Sequence, residues 1–283
     1  MIYPTNANPS LSKRYVDNGE NLCNNIFATG LSSFKGVRYI KKRFESIDSF
    51  RGFIIINMVL FHLLYDINSV FGENYSWHRD PLVDLWQRFI ACSFIIISGF
   101  VWTYGKKRAL RRGILLNIIG LVITAVTVIF IPSEAIYFGV MNFFGCAVIL
   151  MIPAEKLLRH VTPIIGATLS LVLFILFEDL TYGVIKIGSH VIATLPDMMY
   201  SLDLLIPFGL PPRSFVSADY FPIFPWIFVY FLGYFLYRLV AETAFFEKIG
   251  HINIPILSRI GRLALPIYVV HQPLCYLICM LLF

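Results

Sequence analysis

His62 and Asp66 stand four residues apart inside a long apolar run, so on a helix they share one face. A carboxylate beside an imidazole can fix its tautomer and raise its basicity, which suits a general base. The plain alternative is a hydrogen bond at a helix end with no chemistry. Asp48 and Arg51 stand three apart at the start of the same run. Asp48 suits a helix start, where negative charge is favoured. Arg51 either snorkels to an interface or holds an anionic group such as a phosphate. His78 follows Trp77 in the next polar loop. That loop is carried over the mouth of the helix pair that presents His62, a natural place for a catalytic group. A loop histidine among aromatics can equally be an interfacial residue. Near the chain end, Tyr268, His271 and Gln272 precede Pro273. Proline kinks a membrane helix, and a buried His-Gln pair needs hydrogen-bond partners.

These residues must be positioned by membrane helices. The chain has 283 residues, 58% hydrophobic and 14% charged, against about half and about a quarter in soluble domains. The apolar sequence suffices for about seven spans of ~20 residues. The expected fold is all-α, a polytopic transmembrane helix bundle. Its spans run from about Ser49 to Ile67, Leu82 to Tyr104, Gly113 to Ile131, Ile136 to Ile152, Val161 to Phe177, Phe221 to Tyr237 and Leu263 to Leu282. The fourth is expected to end at Pro153. Between residues 178 and 220, the pieces Tyr182 to Leu195 and Met198 to Leu210 are too short to span and read as a re-entrant or interfacial hairpin. An intramembrane charge costs roughly 2.5–3.5 kcal/mol on insertion scales, so such groups face a bundle interior or a wet cavity.

Residues 1–42 are polar, lack an apolar signal core, and read as a flexible cytoplasmic tail before a membrane domain over 43–283. The net charge of +6 is concentrated in the tail and in the loops after spans two, four and six. The positive-inside rule therefore places the amino terminus in the cytoplasm and the carboxyl terminus outside. His62, Asp66 and His78 then lie near the external face and Arg51 near the cytoplasmic one. No basic stripe for nucleic acid is present. The five cysteines form no CxxC pair, which speaks against a metal cluster or a disulfide framework. HExxH, GxSxG, Walker and dinucleotide motifs are absent.

Several segments together resemble the catalytic-domain family of heparan-α-glucosaminide N-acetyltransferase, a family of integral-membrane acyltransferases. They are Asp48-Ser-Phe-Arg51-Gly52 with Met58-Val-Leu-Phe-His62, Phe94-Ile-Ile-Ile-Ser-Gly99, and Arg111-Arg-Gly113. Further along come Phe138-Gly-Val-Met-Asn142-Phe-Phe-Gly145, Tyr220-Phe-Pro-Ile-Phe-Pro225-Trp226 with Gly233, and Tyr268-Val-Val-His271-Gln-Pro273. The resemblance implies transfer of an acetyl group from acetyl-CoA to a sugar across the membrane. In the lysosomal member a loop histidine before the second motif helix acts at the non-cytoplasmic side; counting along the motif places it at His78. The chain lacks the extra spans and luminal domain of that larger enzyme, and it carries His62 where that enzyme has an asparagine.

The resulting expectation is a cell-membrane acyltransferase that acetylates a sugar amine or hydroxyl at the external face. His78, His62 and Asp66 are its catalytic candidates, with Asp66 orienting His62. Arg51, Asp48, Asn142 and His271 are its candidate contacts to acetyl-CoA, and Asn142 also suits a developing oxyanion. A wet tunnel through the bundle would join Arg51 to His62 and His78. The expected partners are acetyl-CoA, a glycan or lipid-linked sugar acceptor and membrane lipids, with no nucleic acid and with a homodimer left open. The rival class is a non-enzymatic membrane transporter or an assembly partner for cell-surface polymer synthesis, because intramembrane charges also mark substrate paths. No internal repeat of the transporter kind stands out.

Overall fold

A computed structural model describes residues 44–72, 77, 80–241, 243, 246, 250 and 252–283. The expectations for the tail 1–42 and for His78 lie outside these residues.

Among the described residues, seven helices are long and apolar enough to cross a membrane, as a polytopic bundle requires. The first, α1 (Glu45–Tyr65), opens with Glu45 and Asp48 in its first turn, where carboxylates complement the helix dipole. It continues as a π-helical turn over Asp66–Val70. The second, α2 (Pro81–Phe100), starts at an Asp80 cap whose side chain accepts from the Leu82 N–H. A helical turn, Trp102–Gly105, and a 3₁₀ turn, Lys106–Arg108, lead into α3 (Ala109–Phe130). Then follow α4 (Val140–Leu158), α5 (Pro163–Phe177), α6 (Ile223–Val240), a short α7 (Pro255–Arg262) and α8 (Ala264–Leu282).

Two helices, α4 and α2, depart from the sequence reading at their boundaries. Helix α4 begins at Val140 rather than Ile136 and runs through Pro153 to Leu158. A proline within an apolar bundle costs one helical hydrogen bond, and neighbouring helices hold the axis despite it. Helix α2 ends at Phe100, so Trp102–Tyr104 belongs to the turn before α3.

Glycines let these helices meet backbone to backbone. A Cβ on Gly99 would lie 2.0 Å from the Tyr230 carbonyl oxygen, and one on Gly233 would lie 2.2 Å from that of Ile96. These two sites bring α2 and α6 together. Gly52 and Gly261 do the same for α1 and α7, with clashes of 1.9 and 1.8 Å. Small residues at such crossings are the usual device for packing in lipid. The Ser49 hydroxyl also accepts from the Ile254 N–H at 3.1 Å, fixing the start of α7 against α1.

The core has two main parts. Ile54, Ile55, Met58, Phe61 and Ile90 form one, packed against α7 and α8 residues such as Ile260 and Ile267. Trp102, Phe143, Met151, Ile227, Tyr230 and Phe235 anchor the other, between α2, α4, α5 and α6. Outward faces of α3, α5 and α8 expose leucines and isoleucines in long rows, as a lipid surround demands.

The first of the two short apolar pieces folds on itself as a β-hairpin rather than pairing with the second. Strands β1 (Val184–Ile187) and β2 (His190–Thr194) pair antiparallel across Gly188, which takes a positive φ of 59°. The second apolar piece becomes two 3₁₀ turns, Asp197–Tyr200 and Asp203–Phe208. Arg213 braces this segment through Asp197 at 2.8 Å and the Tyr182 carbonyl at 3.1 Å. Arg88 of α2 pairs with Glu178 beneath it.

Candidate functional site

The last turns of α1 face the middle of α8. The imidazoles of His62 and His271 meet edge to face with centroids 4.7 Å apart. His271 Nδ1 lies 2.5 Å from the Tyr268 carbonyl oxygen. A carbonyl only accepts, so Nδ1 carries the proton and Nε2 keeps its lone pair. Nε2 is buried and has no hydrogen-bond partner among the described residues. His271 therefore presents an oriented basic nitrogen inside the bundle.

Asp66 does not serve His62 as the spacing predicts. Its Oδ1 accepts from Gln272 Nε2 at 2.9 Å, and its Oδ2 is left buried without a partner. Asp66 stays one α-helical turn from His62, its N–H bonding the His62 carbonyl, but the carboxylate is turned toward α8. Its effect is to clamp α1 to α8 beside His271. The Gln272 Oε1 and Ser69 hydroxyl are likewise buried and unpaired.

A second polar group borders this site. Tyr65 donates to Glu134 at 3.3 Å, tying α1 to the turn before α4. At the start of α4, the Asp219 carboxylate accepts the Val140 N–H at 3.1 Å. Burial pushes the Asp219 carboxyl up to about 6. Ser217 and Phe221 bond the backbone of Tyr137 and Phe138, so residues 217–221 clasp the entry to α4. Phe138 is held at a positive φ of 54° within that clasp, a conformation a bulky residue keeps only where surrounding contacts enforce it.

Beside Asp219 lies a small pocket with room for about one water, lined by Asn142, Asp219, Tyr268, Gly120 and Gly139 among others. Asn142 is buried, and its amide lies directly over Gly120. A Cβ on Gly120 would enter that amide at 2.4 Å. Tyr268 thus lines the cavity with its side chain while its carbonyl orients His271.

Arg51 is elsewhere. It pairs with Asp48 at 3.0 Å near the opposite end of α1, about 16 Å along the axis from His62 at 1.5 Å per residue. Neither Arg51 nor Asp48 lines the cavity. The structure thus brings His62, His271 and Asp66 together at the α1–α8 contact, places Asn142 on the pocket that Tyr268 lines, and holds Arg51 and Asp48 apart from both. Sequence reasoning gave no role to Tyr65, Ser69, Glu134 or Asp219. Asp219 had a visible signal, since it directly precedes the Tyr220-Phe-Pro motif. Glu134 had none, because its partner Tyr65 lies on a different span.

The family model described as heparan-alpha-glucosaminide N-acetyltransferase, catalytic, matches residues 43–273. No curated protein and no solved structure matches the chain.

Proposed function

The chain belongs to the heparan-alpha-glucosaminide N-acetyltransferase catalytic family, and from that premise we propose that it transfers acetyl from acetyl-CoA to a sugar amine or hydroxyl at the external face of the cell membrane. The observation that carries this reading is the basic Nε2 of His271, held in one tautomer against His62 and left without a partner. An oriented, desolvated imidazole is what a general base for acyl transfer requires.

In this mechanism acetyl-CoA comes from the cytoplasmic side, and the basic loops hold its phosphates. The acceptor's amine or hydroxyl lies against the unpaired Asp66 Oδ2 and Gln272 Oε1, which accept its other donors. An imidazole takes the proton as the acceptor atom attacks the thioester carbonyl. The Asn142 amide, on the pocket that Tyr268 also lines, is the partner assigned to charge that develops on the carbonyl oxygen. The tetrahedral intermediate then expels coenzyme A as a thiolate, and the imidazolium returns its proton to the sulfur. His62 supports His271 or exchanges the proton with it. His78, the residue implied by the family motif, is the third histidine to test.

The test is transfer of labelled acetyl from acetyl-CoA to an amino sugar by purified protein in detergent. Turnover that falls in His271→Ala, His62→Ala or His78→Ala supports the reading. Turnover that survives all three substitutions overturns it. Calorimetry with coenzyme A separates the rival class: micromolar binding fits an acyltransferase, and none up to millimolar fits a transporter or assembly partner.

A further inference from the structure

Helix α7 has eight residues, too few to cross a membrane, yet it lies between the spans α6 and α8. The chain around it follows the first two turns of α1. The Ser46 N–H donates to the Gly250 carbonyl at 3.5 Å, and the Ile254 N–H donates to the Ser49 hydroxyl at 3.1 Å. The Leu257 carbonyl then closes on Gly52, and Gly261 closes on the Asp48 carbonyl. These α1 positions, 46 to 52, cover about 9 Å of helix axis. They begin beside Glu45 and Asp48, the acidic first turn of the span. Helix α7 is thus held at the edge of the apolar layer, the depth of the boundary between lipid headgroups and acyl chains.

Its two faces differ. Ser258 and Gly261 are buried against α1. Ile256, Arg259 and Leu263 follow one another at spacings of three and four on the outward face, with Arg262 beside them. Ile256 is 70% exposed and Leu263 56%, and Ile252 and Ile254 just before the helix are exposed too. Arg259 and Arg262 are exposed, and neither has an ion-pair or hydrogen-bond partner among the described residues. Cations in a last turn complement the helix dipole. That accounts for an arginine here, but two like charges three residues apart repel each other, and the dipole does nothing for the isoleucines.

A partner for this face must offer anionic oxygens and hydrocarbon side by side. Guanidinium groups match phosphate oxygens two at a time. Leu263 leads directly into α8, whose exposed Leu265, Val269 and Val270 continue the apolar surface that faces lipid. Free phosphate would serve the arginines and leave Ile256 and Leu263 in water. A zwitterionic lipid would bring its own cation against the arginines. We infer that the outward face of α7 binds an anionic phospholipid, with the headgroup phosphate on Arg259 and Arg262 and the acyl chains along Ile256 and Leu263. Because α7 is locked to α1 at Gly52 and Gly261, the bound lipid stabilises the start of the helix that carries His62. The inference is independent of the acyltransferase reading.

The test follows the melting temperature of the purified full chain in mixed micelles during titration with phosphatidylglycerol, with phosphatidylcholine, and with inorganic phosphate. Phosphatidylglycerol is expected to stabilise the wild type most. Its half-saturating concentration should rise about tenfold or more in Arg259→Gln with Arg262→Gln, since each surface cation contributes about 1 kcal/mol to anionic-lipid binding. Lys107→Gln with Arg108→Gln removes the same charge from the exposed turn after α2, and its titration should stay within about twofold of wild type. Native mass spectrometry supplies a second readout: phosphatidylglycerol retained by the wild type and by the Lys107/Arg108 variant, and lost from the Arg259/Arg262 variant. Equal stabilisation by phosphatidylcholine or by inorganic phosphate overturns the site. So does the same loss in both double variants, which would reduce the effect to general charge, or a wild-type titration in the Arg259/Arg262 variant.

Discussion

His62 on the first span and His271 on the last stand edge to face with ring centroids 4.7 Å apart. The contact joins two helices that enter the bundle from the same end, α1 and α8, at the depth where Asp66 also reaches Gln272. Two imidazoles, one of them tautomer-locked, thus share a small buried volume with an unpaired carboxylate oxygen.

The Asp66–Gln272 bond is expected to contribute measurably to the pairing of α1 with α8. Gln272→Leu leaves both carboxylate oxygens buried and unpaired, a loss of about 1–3 kcal/mol. Removing both partners, as Asp66→Leu with Gln272→Leu, should recover part of that loss, because no orphan is left. A double-mutant cycle on detergent unfolding midpoints measures the coupling. A double variant as unstable as the sum of the singles would deny the interaction.

How far this was legible in the sequence depends on range. Hydropathy alone marked all seven spans, because a helix in lipid must satisfy its backbone within ~20 apolar residues. It put His62 and His271 on spans, and it put Asp66 on the face of His62. The partner of Asp66 was invisible, because Gln272 lies at the other end of the chain. Pro153 misled for a similar reason: proline reads as a stop only where no neighbouring helix holds the axis. Arg51 and Asp48 were legible as neighbours three apart at the start of a span, and they form an ion pair there.

The glycine crossing of α2 and α6 should be intolerant of even one methyl group. Gly99→Ala and Gly233→Ala drive a Cβ to 2.0 and 2.2 Å from backbone oxygens that cannot rotate aside. Each is expected to cost about 1–3 kcal/mol, read as a lower melting temperature in detergent. Gly188→Ala tests a different mechanism: nothing lies within 4 Å of its Cβ, so only the positive φ is strained and the effect should be smaller.

Asp219 gives the fold a pH dependence of known sign. Burial raises its folded value from 3.8 to about 6, so between those values the folded protein holds a proton that the unfolded chain has released. The stability this proton supplies is complete below about pH 4 and lost as pH rises through about 6. Asp219→Asn keeps an acceptor for the Val140 N–H and removes the titration. Its melting temperature should vary less between pH 4 and 6 than that of wild type; curves that remain parallel would reject the assignment.

Acetyl transfer by purified His271→Ala tests the central claim most directly, with circular dichroism and melting temperature confirming the fold. The expected result is a fall in turnover of about a hundredfold or more, with coenzyme A affinity retained and a similar or smaller fall for His62→Ala. Wild-type turnover in folded His271→Ala and His62→Ala alike would contradict it, and would move the chemistry away from the pair that joins α1 to α8.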